Sequence, residues 1–392
     1  MQRLNRPVIL VSVATAFSLL GDMVLYAVLP VPFYHQQLGL EPIHIGLLLS
    51  VNRWVRMITN HLAERLTRRL NVTYLLAAAL TVGSILPVVY ATVTLFPILL
   101  LARACWGLCW SFIRQIGMMT VVDSVPGHRM GQGMGYYNGI SRIGGAFGLF
   151  VGALLCDHIG FSAALIVFGI LSLAAVLPGV VSQRELHHYK SASPQPKTEP
   201  QGRNGSALLL CGFIVRCVTA IIMTTLGLAL AEKVGPSIMV AGLIIGVATL
   251  NGVLLAGRWL TDSLGAPFLG ALADRIGHWR ATCVFFVAGG VVLLLAALGS
   301  GTVGLIVLVL VFFVCATALA VALAAEAGRT GSRTIASYVT AADIGSATGP
   351  LLGWTILQFL ARSGLMFGIG SALFAVGALT SYLILRRQDA IA

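Results

Sequence analysis

Charge is scarce in this sequence. Asp, Glu, Lys and Arg make up 10% of its 392 residues, against about 25% in an ordinary soluble domain. So little charged surface cannot keep a chain of this size dispersed in water, which excludes a soluble globular fold. Acidic groups are the scarcest: 13, against 25 lysines and arginines, for a formal net charge of +12. Disorder, collagen and coiled coil are excluded by the high apolar content and the lack of a short period. Seven cysteines, an odd count, all fall in apolar runs without a CxxC pair. A disulfide framework or thiolate metal site does not fit, and buried free thiols do. The eight histidines lie in or beside polar stretches, so no histidine relay is expected inside the apolar runs. No GxxxxGK[ST], HExxH, GxSxG or HxxxD pattern occurs. No catalytic residue, metal or cofactor is therefore expected.

What is abundant is apolar sequence: 58% of residues, with a mean hydropathy of +0.93. A bilayer crossing needs about 20 apolar helical residues. Twelve such runs are expected, at 8–32, 43–60, 73–93, 96–122, 133–156, 160–181, 207–231, 238–264, 281–299, 302–325, 335–360 and 363–385. They are too long and too continuously apolar for barrel strands, which alternate over about 10 residues. Arg3 and Arg6 before the first run imitate a signal peptide, but the run is too long and others follow, so a retained helix is expected. Residues 182–206 form the one long polar stretch, with three prolines. They read as a flexible linker between two six-helix halves, 1–181 and 207–392. The expected fold class is all-α integral membrane, with twelve transmembrane helices in two pseudo-symmetric bundles.

Lysine and arginine bias sets orientation. With the N-terminus cytoplasmic, sixteen basic residues fall inside, and only Lys233 and Arg362 outside. Both termini and the linker are expected in the cytoplasm. Most of the +12 is then a topology signal and not a nucleic-acid footprint, and the basic inner fringe would attract anionic lipid of the bilayer.

Internal repetition is visible. Arg142-Ile-Gly-Gly-Ala-Phe-Gly-Leu-Phe-Val-Gly152 in the fifth span aligns without a gap with Asp343-Ile-Gly-Ser-Ala-Thr-Gly-Pro-Leu-Leu-Gly353 in the eleventh. Three glycines coincide, at 144/345, 148/349 and 152/353. Small residues every four positions allow close helix approach. A second landmark is Gly270-Ala-Leu-Ala-Asp-Arg-Ile-Gly277-His-Trp-Arg280 after the eighth span. Its counterpart after the second is Asn60-His-Leu-Ala-Glu64-Arg-Leu-Thr-Arg68-Arg69. The pattern G-x-L-A-D-R-x-G-x-x-R resembles the loop motif of the major facilitator superfamily. Arg103-Ala-Cys-Trp-Gly107 resembles the family's R-x-x-x-G motif in the fourth helix. The GPxxG at Gly349–Gly353, the twelve spans and the central linker resemble it too.

The resemblance implies a monomeric secondary transporter that rocks two halves around a midplane site. It implies gating roles for Glu64, Arg68, Asp274, Arg275, Arg280, Gly349 and Pro350. Asp123 with Arg129, and Glu326 with Arg329 or Arg333, lie at corresponding inner loops and would join that network. The first half departs from the pattern. Asn60 or Glu64, depending on alignment, stands for the loop glycine, and the acidic position is Glu64 or is lost to Arg68. Leu149 replaces the fifth-span proline.

Ten ionisable residues fall inside the spans: Asp22, Arg53, Arg56, Arg103, Arg114, Arg142, Arg216, Arg258, Asp262 and Asp343. Each costs at least about 2.5–3.5 kcal/mol to insert, and so is a functional candidate by default. None falls in spans 3, 6, 9 or 12, the outer helices of the resembled fold. Seven arginines against three aspartates leave an excess of guanidinium, which pairs bidentately with carboxylate or phosphate. Arg53, Arg114, Arg142 and Arg216 lie deepest and are the candidate substrate ligands, with Tyr26 and Trp110 covering an apolar or ring-bearing part. Arg258 and Asp262, at i, i+4, would neutralise each other. Arg103 has two readings: the helix-four motif, or a side chain that snorkels to headgroups. Asp22 and Asp343 are the candidate proton carriers. Burial favours the neutral acid and a nearby arginine favours the carboxylate, a balance that suits a switch. Arg142 is the repeat partner of Asp343, and the two are expected to meet in one state.

The expected function is proton-coupled efflux of a small anionic or amphipathic organic solute across an inner membrane. The alternative is an uptake symporter for an organic anion or phosphate ester. An integral membrane enzyme would need a clustered nucleophile or acid/base set, and a sensor would need a soluble domain. The sequence has neither.

Overall fold

The computed structural model describes residues 5–126, 129–186, 205–240, 243–299, 301–330, 332–360 and 362–389. These residues are 91% helical, as backbone groups facing hydrocarbon require. Most of the linker expected at 182–206 lies outside the described residues; Ser182–Leu186 is helical and closes the sixth span.

The helices are α1 (Arg6–Ser18), α2 (Leu20–Val28), α3 (Pro32–Gln37), α4 (Pro42–Arg69), α5 (Val72–Thr92), α6 (Phe96–Ser124), α7 (Met130–Ile159), α8 (Phe161–Leu173) and α9 (Val176–Leu186). They continue as α10 (Gly205–Val234), α11 (Val247–Leu260), α12 (Ala266–Ile276), α13 (His278–Ala297), α14 (Thr302–Thr330), α15 (Ser332–Leu360) and α16 (Gly364–Asp389). A π turn, Thr261–Gly265, joins α11 to α12. Among the described residues, nine helical segments are long and apolar enough to cross a bilayer, α1–α2 and α8–α9 each counting as one. The three other long helices are α4, α11–α12 and α15, which carry the polar groups Arg53, Arg56, Arg258, Asp262 and Asp343. With these the count is twelve.

Two expectations are corrected. The eighth span was placed from 238. Instead Ser237–Val240 (β1) and Leu243–Gly246 (β2) pair as a small two-stranded sheet, and the helix begins at Val247. Gly235 (φ 71) and Pro236 break the chain ahead of it, and the following Ile/Val-rich run suits a strand as well as a helix. The gating motifs were placed in loops. Glu64 and Arg68 lie on the last turns of α4, and Asp274 and Arg275 on the last turn of α12. α12 stops only at Gly277, whose φ of 91° terminates it.

Internal contacts divide the chain into two compact units: residues 1–40, 51–195 and 239–259, and residues 41–50, 196–238 and 260–392. In the first, α7 packs on α1 and α2 through the repeated glycines. A β-carbon added at Gly144 would lie 2.5 Å from the Ala16 carbonyl oxygen, and one at Gly148 would lie 2.7 Å from that of Leu20; Gly152 meets Val24. In the second, α15 packs on α10 in the same way. Gly345 meets Phe213, Gly349 would place a β-carbon 2.5 Å from the Cys217 carbonyl oxygen, and Gly353 meets Ile221. Both sets of partners advance four residues at a time. The repeat seen in sequence is thus a repeat of one helix-pair geometry, in which backbones touch without a side chain between them. All seven cysteines are free thiols, five of them buried.

Candidate functional site

The first unit gathers several of the intramembrane polar groups. A β-carbon at Gly107 would lie 2.5 Å from the Asn52 carbonyl oxygen, so α6 runs against the backbone of α4. One turn back along α6, Arg103 Nη1 donates to Asp22 Oδ1 on α2. Its Nη2 donates to the Tyr26 hydroxyl at 3.3 Å, and Asn52 Nδ2 reaches the same hydroxyl at 3.4 Å. The Arg103 and Asp22 side chains are 1% and 5% exposed. Two cations lie over the Tyr26 ring, Arg103 at 5.5 Å and Arg53 at 5.6 Å from its centre. Both are within cation–π range. Tyr90, buried on α5, stands beside Arg103 and Asp22. Asn52 Oδ1 is sealed and accepts no hydrogen bond from the described residues.

Arg103 therefore does not snorkel. It is among the largest fully buried side chains of the protein, and its charge is matched by Asp22. Removing one member of such a buried pair leaves the other uncompensated, at a cost of about 3–5 kcal/mol.

Of the other sequence-predicted ligands, Trp110 is half-buried and stacks on Trp106 at 6.0 Å. Arg114 is half-buried near the sealed Tyr137, about 16 Å along α6 from Arg103 by helical rise. Arg142 is half-buried on α7. In the second unit, Arg216 on α10 is half-buried beside Tyr338 of α15, and Asp343 lies half-buried further along α15. Asp262 accepts the Thr317 hydroxyl from α14. Trp354, fully buried on α15, donates to the Thr224 carbonyl at 3.0 Å, and Gly46 of α4 lies against Trp354 and Pro350.

The residues assigned to gating separate into local sets. Arg68 bonds Glu64 at 2.7 Å across one exposed turn. Asp274 Oδ1 meets His278 Nε2 at 2.9 Å, and the other ring nitrogen meets Glu326 Oε2 at 3.2 Å. Trp279 donates to Glu326 at 3.1 Å and Arg329 lies 3.7 Å from it. The pairing of Glu326 with Arg329 was expected; His278, buried between two carboxylates, was not. Arg275 and Arg280 are exposed.

Sequence reasoning missed one further constellation. Asp157, at the end of α7, accepts hydrogen bonds from Tyr34 and Thr249. It lay one residue past the expected span, and so was not counted among the membrane charges.

Twelve long helices, ionisable groups within several of them and a glycine-packed repeat define a multi-pass membrane protein. The chain belongs to the Major Facilitator Superfamily, whose sequence profile matches residues 11–350. It is 25% identical over 383 residues to the multidrug resistance protein MdtG of Salmonella paratyphi B, covering 91% of this chain and 90% of MdtG. The inner membrane transport protein YnfM of Escherichia coli (strain K12) is 26% identical over 175 residues, 44% of this chain and 42% of YnfM. The synaptic vesicular amine transporter of Mus musculus is 25% identical over 268 residues, or 68% of this chain. The match spans only 50% of that relative's length. Among solved structures, a peptide transporter POT in complex with sulfate superposes with a TM-score of 0.78 at 11% identity, covering 98% of this chain and 95% of that one. A bacterial homologue of the human lysosomal transporter Spinster gives 0.74 at 13%, covering 97% and 96%. At such identities the likeness is one of fold.

Proposed function

We propose that the protein exports a small amphipathic organic anion in exchange for protons, by alternating access of the halves 1–181 and 207–392 about the linker 182–206. The observation that carries this reading is the cluster of Asp22, Tyr26, Arg53 and Arg103. These four residues carry two guanidinium groups and one carboxylate, a formal charge of +1. Arg53, half-buried on the Tyr26 ring, is the group a carboxylate or phosphate of the substrate would engage. Asn52 Oδ1 would accept a donor from the same molecule. Arg114, Arg142 and Arg216 extend the anion-favouring field, and Trp110 offers a flat apolar surface.

Coupling would run through Asp22. With Asp22 ionised, its pair with Arg103 holds Tyr26 beneath Arg53 and the anion is bound there; an incoming proton discharges the carboxylate, breaks the pair and releases the substrate, and loss of the proton on the other side rebuilds the site. Asp343 would carry a second proton. Export is favoured over uptake by the likeness to a protein named for multidrug resistance. The location that fits is a bacterial-type inner membrane with both termini in the cytoplasm, and the working unit is a monomer. The local sets at Glu64–Arg68 and Asp274–His278–Glu326, with Arg275, Arg280, Gly349 and Pro350, would serve as gating elements.

The deciding experiment is a screen of organic anions and cations in proteoliposomes under an imposed pH gradient. Anion movement driven by the gradient, in the export sense in inside-out vesicles, is expected. Transport of amines alone would overturn the anion assignment, and gradient-driven accumulation in right-side-out vesicles would favour the uptake symporter.

A further inference from the structure

The end of α7 holds a carboxylate that the proposed transport chemistry does not use. Asp157 Oδ1 accepts the Tyr34 hydroxyl of α3 at 2.7 Å. Its Oδ2 accepts the Thr249 backbone N–H at 2.8 Å and the Thr249 hydroxyl at 2.6 Å. All these residues belong to the first unit. Thr249 lies in the first turn of α11, so its N–H is one of the donors that a helix start leaves without an internal partner. A carboxylate there is also favoured by the helix dipole. Asp157 makes no ion pair among the described residues, so neutral donors and the helix end alone balance its charge. Gly246, just before α11, lies directly against the carboxylate, and a side chain at that position would displace it.

The donors are themselves fixed. Tyr34 is 4% exposed, with its ring against Phe33 at 5.1 Å and Phe161 at 6.2 Å. Burial and the adjacent carboxylate raise its pKa, so the phenol remains protonated and donates. The neighbouring Cys156 is 2% exposed.

α11 stands at a division of the chain. Residues up to Trp259 belong to the first unit and those from Leu260 to the second. Gly252 on the Leu149 carbonyl, Trp259 on Gly145, Asn251 Nδ2 to the Ala27 carbonyl at 2.7 Å and Thr249 on Asp157 tie α11 to the rest of the first unit. The last involves an ionised group and, through Tyr34, reaches α3 as well.

We infer that Asp157 is a latch. It is a positioning residue that fastens the start of α11 and the α3 segment to the end of α7, and its release accompanies the opening of this face of the protein. The inference rests on the alternating-access reading above, but its test does not need a substrate. Cys156, sealed behind the latch, is a native reporter. Purified protein in detergent is exposed to a bulky maleimide, and labelling of Cys156 is read by peptide mass spectrometry. Asp157→Asn is expected to raise the labelling rate by about tenfold, as loss of a charge-assisted contact implies. Tyr34→Phe should give a smaller rise, and Asp157→Glu should stay near the wild type. Unchanged labelling in a monodisperse Asp157→Asn protein would overturn the latch. Should that variant not fold, Thr249→Val keeps the carboxylate and removes one donor; unchanged labelling there overturns it equally. Solute movement by the wild type is measured separately, so failure of the transport reading and failure of the latch are told apart.

Discussion

Arg103 and Asp22 lie 81 positions apart in the chain and form an ion pair in the interior of the first unit, with the Tyr26 hydroxyl as second acceptor of the same guanidinium. Neither charge is stable alone in that environment, and Arg53 lies beside the pair, over the Tyr26 ring.

The first prediction concerns the pair. Arg103→Ala is expected to destabilise the protein by about 3–5 kcal/mol, because it strands a buried carboxylate. Asp22→Asn strands the guanidinium and should cost a similar amount. The double variant Asp22→Asn, Arg103→Gln should recover most of the stability yet remain inactive in gradient-driven transport. Thermal unfolding in detergent together with proteoliposome uptake checks this. A double variant as unstable as the singles would refute the pairing as the main interaction.

The second concerns Tyr26. Tyr26→Phe keeps the ring under Arg53 and removes the hydroxyl shared by Arg103 and Asn52. Tyr26→Leu removes both. Substrate KM should rise by up to about tenfold in the leucine variant, where a cation–π contact of about 0.5–1 kcal/mol and the placement of Arg53 are lost together. In the phenylalanine variant the coupling to pH should change more than KM. Equal effects on KM would separate Arg53 from the substrate.

The third concerns the glycine stripes. Gly148→Ala and Gly349→Ala place a β-carbon at 2.7 Å and 2.5 Å from a facing carbonyl oxygen and should each cost about 1–3 kcal/mol. Gly353→Ala meets its first neighbour at 3.3 Å and should be nearly neutral. Unfolding midpoints of the three variants give the order directly.

The fourth concerns acid stability. His35 is buried on α3, and its Nδ1 faces the Leu29 carbonyl at 3.0 Å. Burial lowers its pKa from 6.5. The unfolded chain then takes up a proton that the folded chain resists. His35 contributes no pH dependence well above 6.5 and destabilises the fold progressively as pH falls below it. The slope is at most about 1.4 kcal/mol per pH unit for a single proton. Unfolding midpoints between about pH 8 and pH 5 should fall less steeply in His35→Gln than in the wild type. Parallel profiles would assign the acid sensitivity elsewhere.

Much of the fold was legible because the bilayer imposes a length on each apolar helix. Three spans, α4, α11–α12 and α15, fall short of that standard: all three carry ionisable groups, and α11 is cut short by the π turn. They were placed all the same, as apolar runs near the length of a crossing. The start of the eighth span was misplaced because an apolar run such as Ser237–Gly246 has the hydropathy of a helix and the composition of a strand. The motifs around Glu64 and Asp274 were read as loops because charge marks the edge of the membrane. A helix does not end there: Glu64 and Arg68 support one another at i, i+4 beyond it. Within the site, Asp22, Arg53 and Tyr26 were identified one by one. That Arg103 closes on Asp22 depends on α6 meeting α2 in space, and Gly107, which lets α6 settle on α4, was seen only as part of a motif. Tyr34, Asp157 and Thr249 carry no local signal at all; a phenol, a carboxylate and a threonine far apart in sequence become a unit only when three chain segments meet.

The π turn at Thr261–Gly265 has a consequence for how this chain tolerates changes in length. A π turn accommodates one residue more than the regular helical path requires. Deleting one residue there restores ordinary helical geometry, and the flanking segments α11 and α12 keep their faces. The same deletion within α11 or α12 would turn everything beyond it by about 100°. This short stretch, with Asp262 in it, is thus a slack link in an otherwise taut chain, where a codon can be gained or lost while both neighbours stay in register.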